Sequence, residues 1–138
     1  MAKPKNFLFV CKGNTARSQM AEGFARSMAN GGLKIFSAGL APEGPSGHAV
    51  EVMSELGIDI SVQAATTFDD VPLNKIDTLI TLSSDADEVP PKLKKKVTTI
   101  HWPLDDPSAV GGSDAEVKMA FRLVRDEIRN RVEVLLVG

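Results

Sequence analysis

Phe7-Leu8-Phe9-Val10-Cys11-Lys12-Gly13-Asn14-Thr15-Ala16-Arg17-Ser18 joins an apolar run to a glycine-containing loop and then to the head of a helical pattern. Four consecutive apolar residues bounded by polar ones read as a buried strand. Met20, Ala21, Phe24, Ala25, Met28 and Ala29 then recur at helical spacing over 18–30, and Gly31-Gly32 stops the helix. A strand, a short loop and a helix make a site for an oxyanion, because the loop turns its N–H groups inward and the helix N-terminus adds positive potential. Cys11, the single cysteine of the chain, stands at the start of the loop, and Arg17 follows six positions later. The field of such a site favours a thiolate. One loop is therefore equipped both to bind a tetrahedral anion and to attack it.

Outward from this stretch, strands and helices alternate. Leu33 to Ser37 is a second strand, closed by Ala38-Gly39, and 40–47 is a Pro/Gly loop. Ala49 to Leu56 is a helix with Val50, Met53 and Leu56 on one face and Gly57 as its stop. Ile76 to Leu82 is apolar almost throughout, as a parallel strand covered on both faces is. Lys96 to His101 is a weaker fourth strand. Ser113-Asp114-Ala115-Glu116 has the form of a capping box. Behind it Val117, Phe121, Val124, Ile128, Val132 and Leu135 mark a long amphipathic helix. The alternation predicts an α/β sandwich around a parallel sheet, whose ligands sit beyond the C-terminal ends of the strands. Cys11, the Thr81-Leu82-Ser83-Ser84 segment and the residues after His101 all fall there.

The 138 residues, 43% of them hydrophobic and 25% charged, suit one domain with its own core, spanning 1–138. A net charge of −2 gives no global attraction to nucleic acid or anionic membrane, so any anion is held locally. Lys92, Lys94, Lys95 and Lys96 have no interleaved aromatics and read as a solvated loop. One cysteine excludes an intrachain disulfide and fits a reducing compartment. Met1-Ala2-Lys3-Pro4-Lys5 is basic, but the apolar run behind it is too short for a signal peptide, and no stretch reaches membrane-spanning length. A cytoplasmic protein is expected. His48 and His101 lie far apart with no cysteine or close histidine beside them, so no metal site is expected.

The chemistry follows from residue type. A thiolate at Cys11 can displace an oxygen in line from phosphate or arsenate. The planar, permanently charged fork of Arg17 binds two oxygens at once. Gly13 admits close approach of the backbone, and Asn14 tolerates left-handed geometry. The Ser18 hydroxyl is placed to donate to the sulfur. Asp105-Asp106-Pro107 offers a general acid for the leaving oxygen, with Pro107 restricting Asp106 to extended geometry; read alone, the triplet is a turn starter.

The segment from Cys11 to Ser18 resembles the anion loop of low-molecular-weight protein tyrosine phosphatases and of the arsenate reductases that share their fold. Gln19-Met20-Ala21-Glu22-Gly23 continues it as the reductases do, where the phosphatases usually carry proline after the serine. Thr81-Leu82-Ser83-Ser84-Asp85-Ala86-Asp87, His101-Trp102-Pro103-Leu104-Asp105-Asp106-Pro107 and Arg122-Leu123-Val124-Arg125-Asp126-Glu127-Ile128 also resemble the reductase versions. The resemblance implies a three-layer α/β sandwich, a four-stranded parallel sheet with helices on both faces. It implies Cys11 as nucleophile, Arg17 as oxyanion clamp, Ser18 as thiolate partner and Asp106 as general acid. Lys12, Gly13, Asn14, Thr15, Ala16 and Arg17 would bind the oxyanion.

Thioredoxin-coupled members carry two further cysteines. Here Ser83 holds the first position and the second falls at or near Pro90, so the resemblance implies no bound cofactor but an external thiol: glutathione with glutaredoxin, or mycothiol with its redoxin. Asn14, Glu22 and Ser37 match a monovalent-cation site of some relatives, while Thr66 stands in place of an acidic ligand, so the resemblance leaves a bound cation open. The implied activity is arsenate reduction. The alternative is phosphomonoester hydrolysis through a phospho-cysteine, against which, for phosphotyrosine, stand the lack of tyrosine and the non-aromatic Ser108-Ala109-Val110. A non-catalytic anion-binding module is the third reading, and the intact Cys11, Arg17 and Asp106 set argues against it.

Overall fold

Strand β1, Asn6–Val10, is the centre from which the sheet is built. The computed structural model describes residues 6–11, 16–29, 33–39, 46–63, 70–82 and 97–137. β1 pairs in parallel with β2, Lys34–Ala38, on one side and with β3, Thr78–Thr81, on the other. β4, Thr98–His101, pairs in parallel with β3 alone, giving the order β2-β1-β3-β4. Side chains alternate across β1, as strand geometry requires. Phe7 and Phe9 enter one apolar cluster together with Cys11, and Leu8 and Val10 enter another on the opposite face.

The first cluster is covered by three helices: α1, Arg17–Met28; α2, Gly47–Ser54; and α3, Asp114–Val137. Met20, Ala21 and Phe24 of α1 meet Val52 and Met53 of α2 and Phe121, Ile128 and Val132 of α3 there. Val117, Val124 and Leu135 pack on its margin, so the spacing expected of the long helix is realised. On the other face Leu8, Val10, Ala38 and Leu79 pack with Val71 and Ile76, which flank a short 3-10 helix, Leu73–Lys75. The four-stranded parallel sheet with helices packed on it is the fold that the sequence implied; among the described residues the second face carries only the 3-10 helix.

Local chemistry sets the ends of the helices. α3 starts on the expected capping box: Glu116 N–H donates to Ser113 Oγ at 3.2 Å, and Ser113 N–H donates back to Glu116 Oε1 at 3.3 Å. α2 starts two residues earlier than its apolar pattern suggested, because Ser46 Oγ accepts from Ala49 N–H at 3.4 Å and caps it. It ends at Ser54, and the turn that follows closes at Gly57, whose φ of +77° is the left-handed geometry that glycine adopts without a Cβ penalty. β3 is shorter than its apolar run. Ile76 is buried in the second cluster but lies outside the ladder, so burial there reflects packing rather than pairing. The predicted lysine-rich loop lies outside the described residues.

Candidate active site

Cys11 follows the last residue of β1 and is 2% exposed. Its N–H donates to Ala38 O at 3.4 Å, continuing the ladder to β2 by one residue. α1 begins at Arg17 without a side-chain cap, and this brings Ser18 back over the end of β1. Ser18 Oγ lies 3.0 Å from Cys11 Sγ, and Ser18 N–H donates to the same sulfur at 3.4 Å. A first-turn amide and a hydroxyl thus converge on one sulfur, the donor arrangement that suits a thiolate acceptor. The pairing of Cys11 with Ser18 expected from the sequence is present. Ala16 is buried beside it. Lys12, Gly13, Asn14 and Thr15 lie outside the described residues.

Arg17 is buried, and its guanidinium is tied to backbone rather than left loose. Nη1 donates to Leu104 O at 2.9 Å and to Leu82 O at 3.4 Å, and Nη2 faces Asp106 Oδ2 at 3.8 Å. Leu82 follows β3, and Leu104 lies three residues beyond β4. Three adjacent strand ends therefore contribute to one site, as the switch-point rule for parallel sheets anticipates. The two carbonyls were not foreseen. A main-chain acceptor has no residue type to announce it, so no sequence signal marks this role.

Of the two adjacent aspartates, Asp106 is the one facing Arg17. Its backbone is extended, φ −78° and ψ 112°, as Pro107 requires. Asp106 Oδ1 accepts from Ser108 N–H at 2.9 Å and Ser108 Oγ at 2.6 Å, capping a 3-10 helix over Pro107–Ala109. One oxygen fixes the turn, as the turn-starter reading expected, while the other faces the guanidinium.

Glu22 and Ser37 also come together: Ser37 Oγ donates to Glu22 Oε1 at 2.5 Å. Arg26 completes this cluster, with Nε donating to Glu22 Oε2 at 2.7 Å and Nη2 to Ile35 O at 2.8 Å. Sequence reasoning missed Arg26, although its position four residues after Glu22 on a helix is the signal of an ion pair. Asn14 and Thr66 lie outside the described residues. Gln19, wholly buried, accepts at Oε1 and at its carbonyl from Gln63 Nε2, at 2.6 and 3.0 Å. Among the described residues no group of three or more His, Cys, Asp or Glu is arranged to hold a metal ion. No helix among them is long and apolar enough to cross a membrane.

The family model for low molecular weight phosphotyrosine protein phosphatase matches residues 6–137. An arsenate reductase of Bacillus subtilis (strain 168) is 41% identical over 129 residues, covering 94% of this chain and 93% of the relative. Among solved structures, an arsenate reductase in the phosphate binding state aligns with a TM-score of 0.83 at 34% identity, covering 96% of this chain and 97% of that one. An arginine phosphatase from Geobacillus stearothermophilus aligns with a TM-score of 0.77 at 25% identity, covering 96% of this chain and 91% of that one. With the family model matching 6–137 and solved relatives aligning over 96% of the chain, the chain belongs to the low molecular weight phosphotyrosine protein phosphatase family.

Proposed function

We propose that this protein reduces arsenate to arsenite, with Cys11 as nucleophile and separate thiols as the reductant. The observation that carries the reading is the convergence of Ser18 Oγ and Ser18 N–H on the sulfur of the chain's single cysteine, at 3.0 and 3.4 Å, directly beside the tethered Arg17. The similarity to arsenate reductases over 94% of the chain supports the choice of substrate.

In this reading arsenate enters the loop of Lys12, Gly13, Asn14, Thr15 and Ala16, and Arg17 clamps two of its oxygens. The Cys11 thiolate adds to arsenic and one As–O bond breaks. Asp106 supplies the proton with which that oxygen leaves as water. An external thiolate then attacks the Cys11 sulfur. An S–S bond forms, the S–As electron pair stays with arsenic, and As(V) leaves as As(III) in arsenite. A further thiol cleaves the mixed disulfide and restores Cys11, so two thiols become one disulfide and supply the two electrons. With one cysteine in the chain, both thiols come from outside it. Glutathione with glutaredoxin, or mycothiol with its redoxin, has the required chemistry, and the reducing cytoplasm is where these thiols are held.

The test mixes the protein with arsenate and, in turn, glutathione plus glutaredoxin, mycothiol plus its redoxin, and thioredoxin, and follows arsenite. Arsenite with either small-thiol pair is expected. An aryl phosphate is run in parallel. Ester cleavage without arsenite under any thiol replaces this reading with phosphomonoester hydrolysis through a phospho-cysteine, which the same Cys11, Arg17 and Asp106 set and the likeness to an arginine phosphatase favour as the second choice.

A further inference from the structure

Arg17 takes its orientation from two carbonyls, Leu82 O and Leu104 O, and these belong to chain segments that part company after β3 and β4. Leu82 is secured at the sheet centre, its N–H donating to Val10 O at 2.8 Å. Leu104 lies three residues beyond β4, an edge strand held by β3 alone whose residues are exposed or half-buried, so its carbonyl has no sheet partner among the described residues to fix it, although its side chain is buried in the core. Among the described residues, the last direct hydrogen bonds between the two segments involve Thr81. Its carbonyl accepts from Trp102 N–H at 2.7 Å, and its side chain reaches the residue paired with it across the sheet: Thr81 Oγ1 lies 2.5 Å from His101 Nδ1. Leu104 N–H then donates to Trp102 O at 2.8 Å, turning the chain so that Leu104 O meets the guanidinium. Thr81 is 3% exposed whereas His101 is exposed, so a buried hydroxyl holds the end of an otherwise weakly held strand.

The geometry points to the Thr81–His101 side-chain pair as the positioning device for the oxyanion clamp: it pins the end of β4 to β3, which sets Leu104 O, which sets the Arg17 fork. Neither residue touches the anion. The inference rests on Arg17 serving as the clamp, as proposed above, but not on arsenate being the substrate. A pair that only stabilised the sheet would lower the melting temperature and leave anion affinity alone. A pair acting through Arg17 changes anion affinity, and the change depends on Arg17 being present.

The probe is inorganic phosphate, with its dissociation constant measured on the full chain beside the melting temperature. Thr81→Val, which keeps shape and removes the hydroxyl, is expected to weaken phosphate about five- to tenfold, the loss of one buried hydrogen bond. Thr81→Ser is expected to bind within about twofold of wild type, since it restores the donor and acceptor. If Thr81→Val does not fold, exposed His101 carries the test: His101→Phe loses affinity as above, and His101→Asn, which replaces Nδ1 with a polar atom, recovers most of it. In an Arg17→Lys background Thr81→Val is expected to add less than about twofold. Unchanged phosphate affinity in Thr81→Val and His101→Phe, or an equal loss in the Arg17→Lys background, overturns the inference. A wild type that forms no arsenite, yet whose phosphate affinity responds as stated, removes the reductase reading and leaves this one standing.

Discussion

Cys11 and Asp106 stand at the ends of strands that differ in how firmly the sheet holds them. β1 is paired on both edges, and Cys11 at its end is 2% exposed with the Ser18 amide donating to its sulfur and the Ser18 hydroxyl in hydrogen-bond contact with it. β4 is paired on one edge, and the Asp106 side chain five residues beyond it is 43% exposed. The Cys11 half is thus set by the core, while the Asp106 half is set by a short turn and by what ties the edge strand down. Arg17 joins them, growing from α1 beside Ser18 and reaching across to Leu82 O, Leu104 O and Asp106. Under the proposed assignment, this split puts the attacking atom on the doubly paired strand and the proton donor beyond the edge strand.

Substitutions separate the two halves. Cys11→Ser is expected to reduce arsenite formation to background while the melting curve barely moves, since a hydroxyl is a far weaker nucleophile at neutral pH. Turnover above background in that variant would contradict the assignment. Asp106→Asn is expected to lower kcat by about a hundredfold or more, the usual contribution of a positioned general acid, with the phosphate dissociation constant changed little. A rise in that constant without a fall in kcat would make Asp106 a binding residue instead. Arg17→Lys is expected to lower kcat/KM about a hundredfold, chiefly through KM, because an ammonium cannot make the two-point contact. Ser18→Ala removes one of the two donors to the sulfur and is expected to cost about tenfold in kcat/KM; thiol alkylation rates of Cys11 across pH check that the loss lies at the sulfur.

The smallest effect belongs to the far side of the molecule, where α2 meets α3. There the Arg122 hydrogen bond, helped by Arg125 against some burial, lowers the Glu55 carboxyl from 4.5 to about 2. A carboxyl whose folded value is depressed contributes fully above its unfolded value and loses that contribution as pH falls through the folded one. Stability from this cluster is therefore present above about pH 4.5 and fades toward pH 2. Glu55→Gln is expected to flatten the melting temperature against pH over that window and to leave kcat/KM at neutral pH unchanged. Since these charges are largely solvated, the change is small.

Much of the frame was legible because it depends on local order. The apolar run before Cys11, the helical spacing after Ser18, the box at Ser113 and Glu116 and the glycine after α2 each act within a few residues, and each appears in the structure. The start of α2 was misread by two residues, since Ser46 is an ordinary loop residue until its hydroxyl finds the Ala49 amide. Gln63 carried no reading, and His101 was read only as a strand end and a non-ligand, because their partners lie across the fold; Arg26 was missed although Glu22 is local.

Residue types and their spacing alone determined that this chain carries one thiol at the head of a helix with an arginine beside it, because those are nearest-neighbour facts along a strand, loop and helix. Only the tertiary structure decided which carbonyls aim that arginine and which of two neighbouring aspartates faces it. Those outcomes depend on strand order and register, which bring residues 17, 82 and 104 together although dozens of positions separate them, and no local pattern encodes such a meeting.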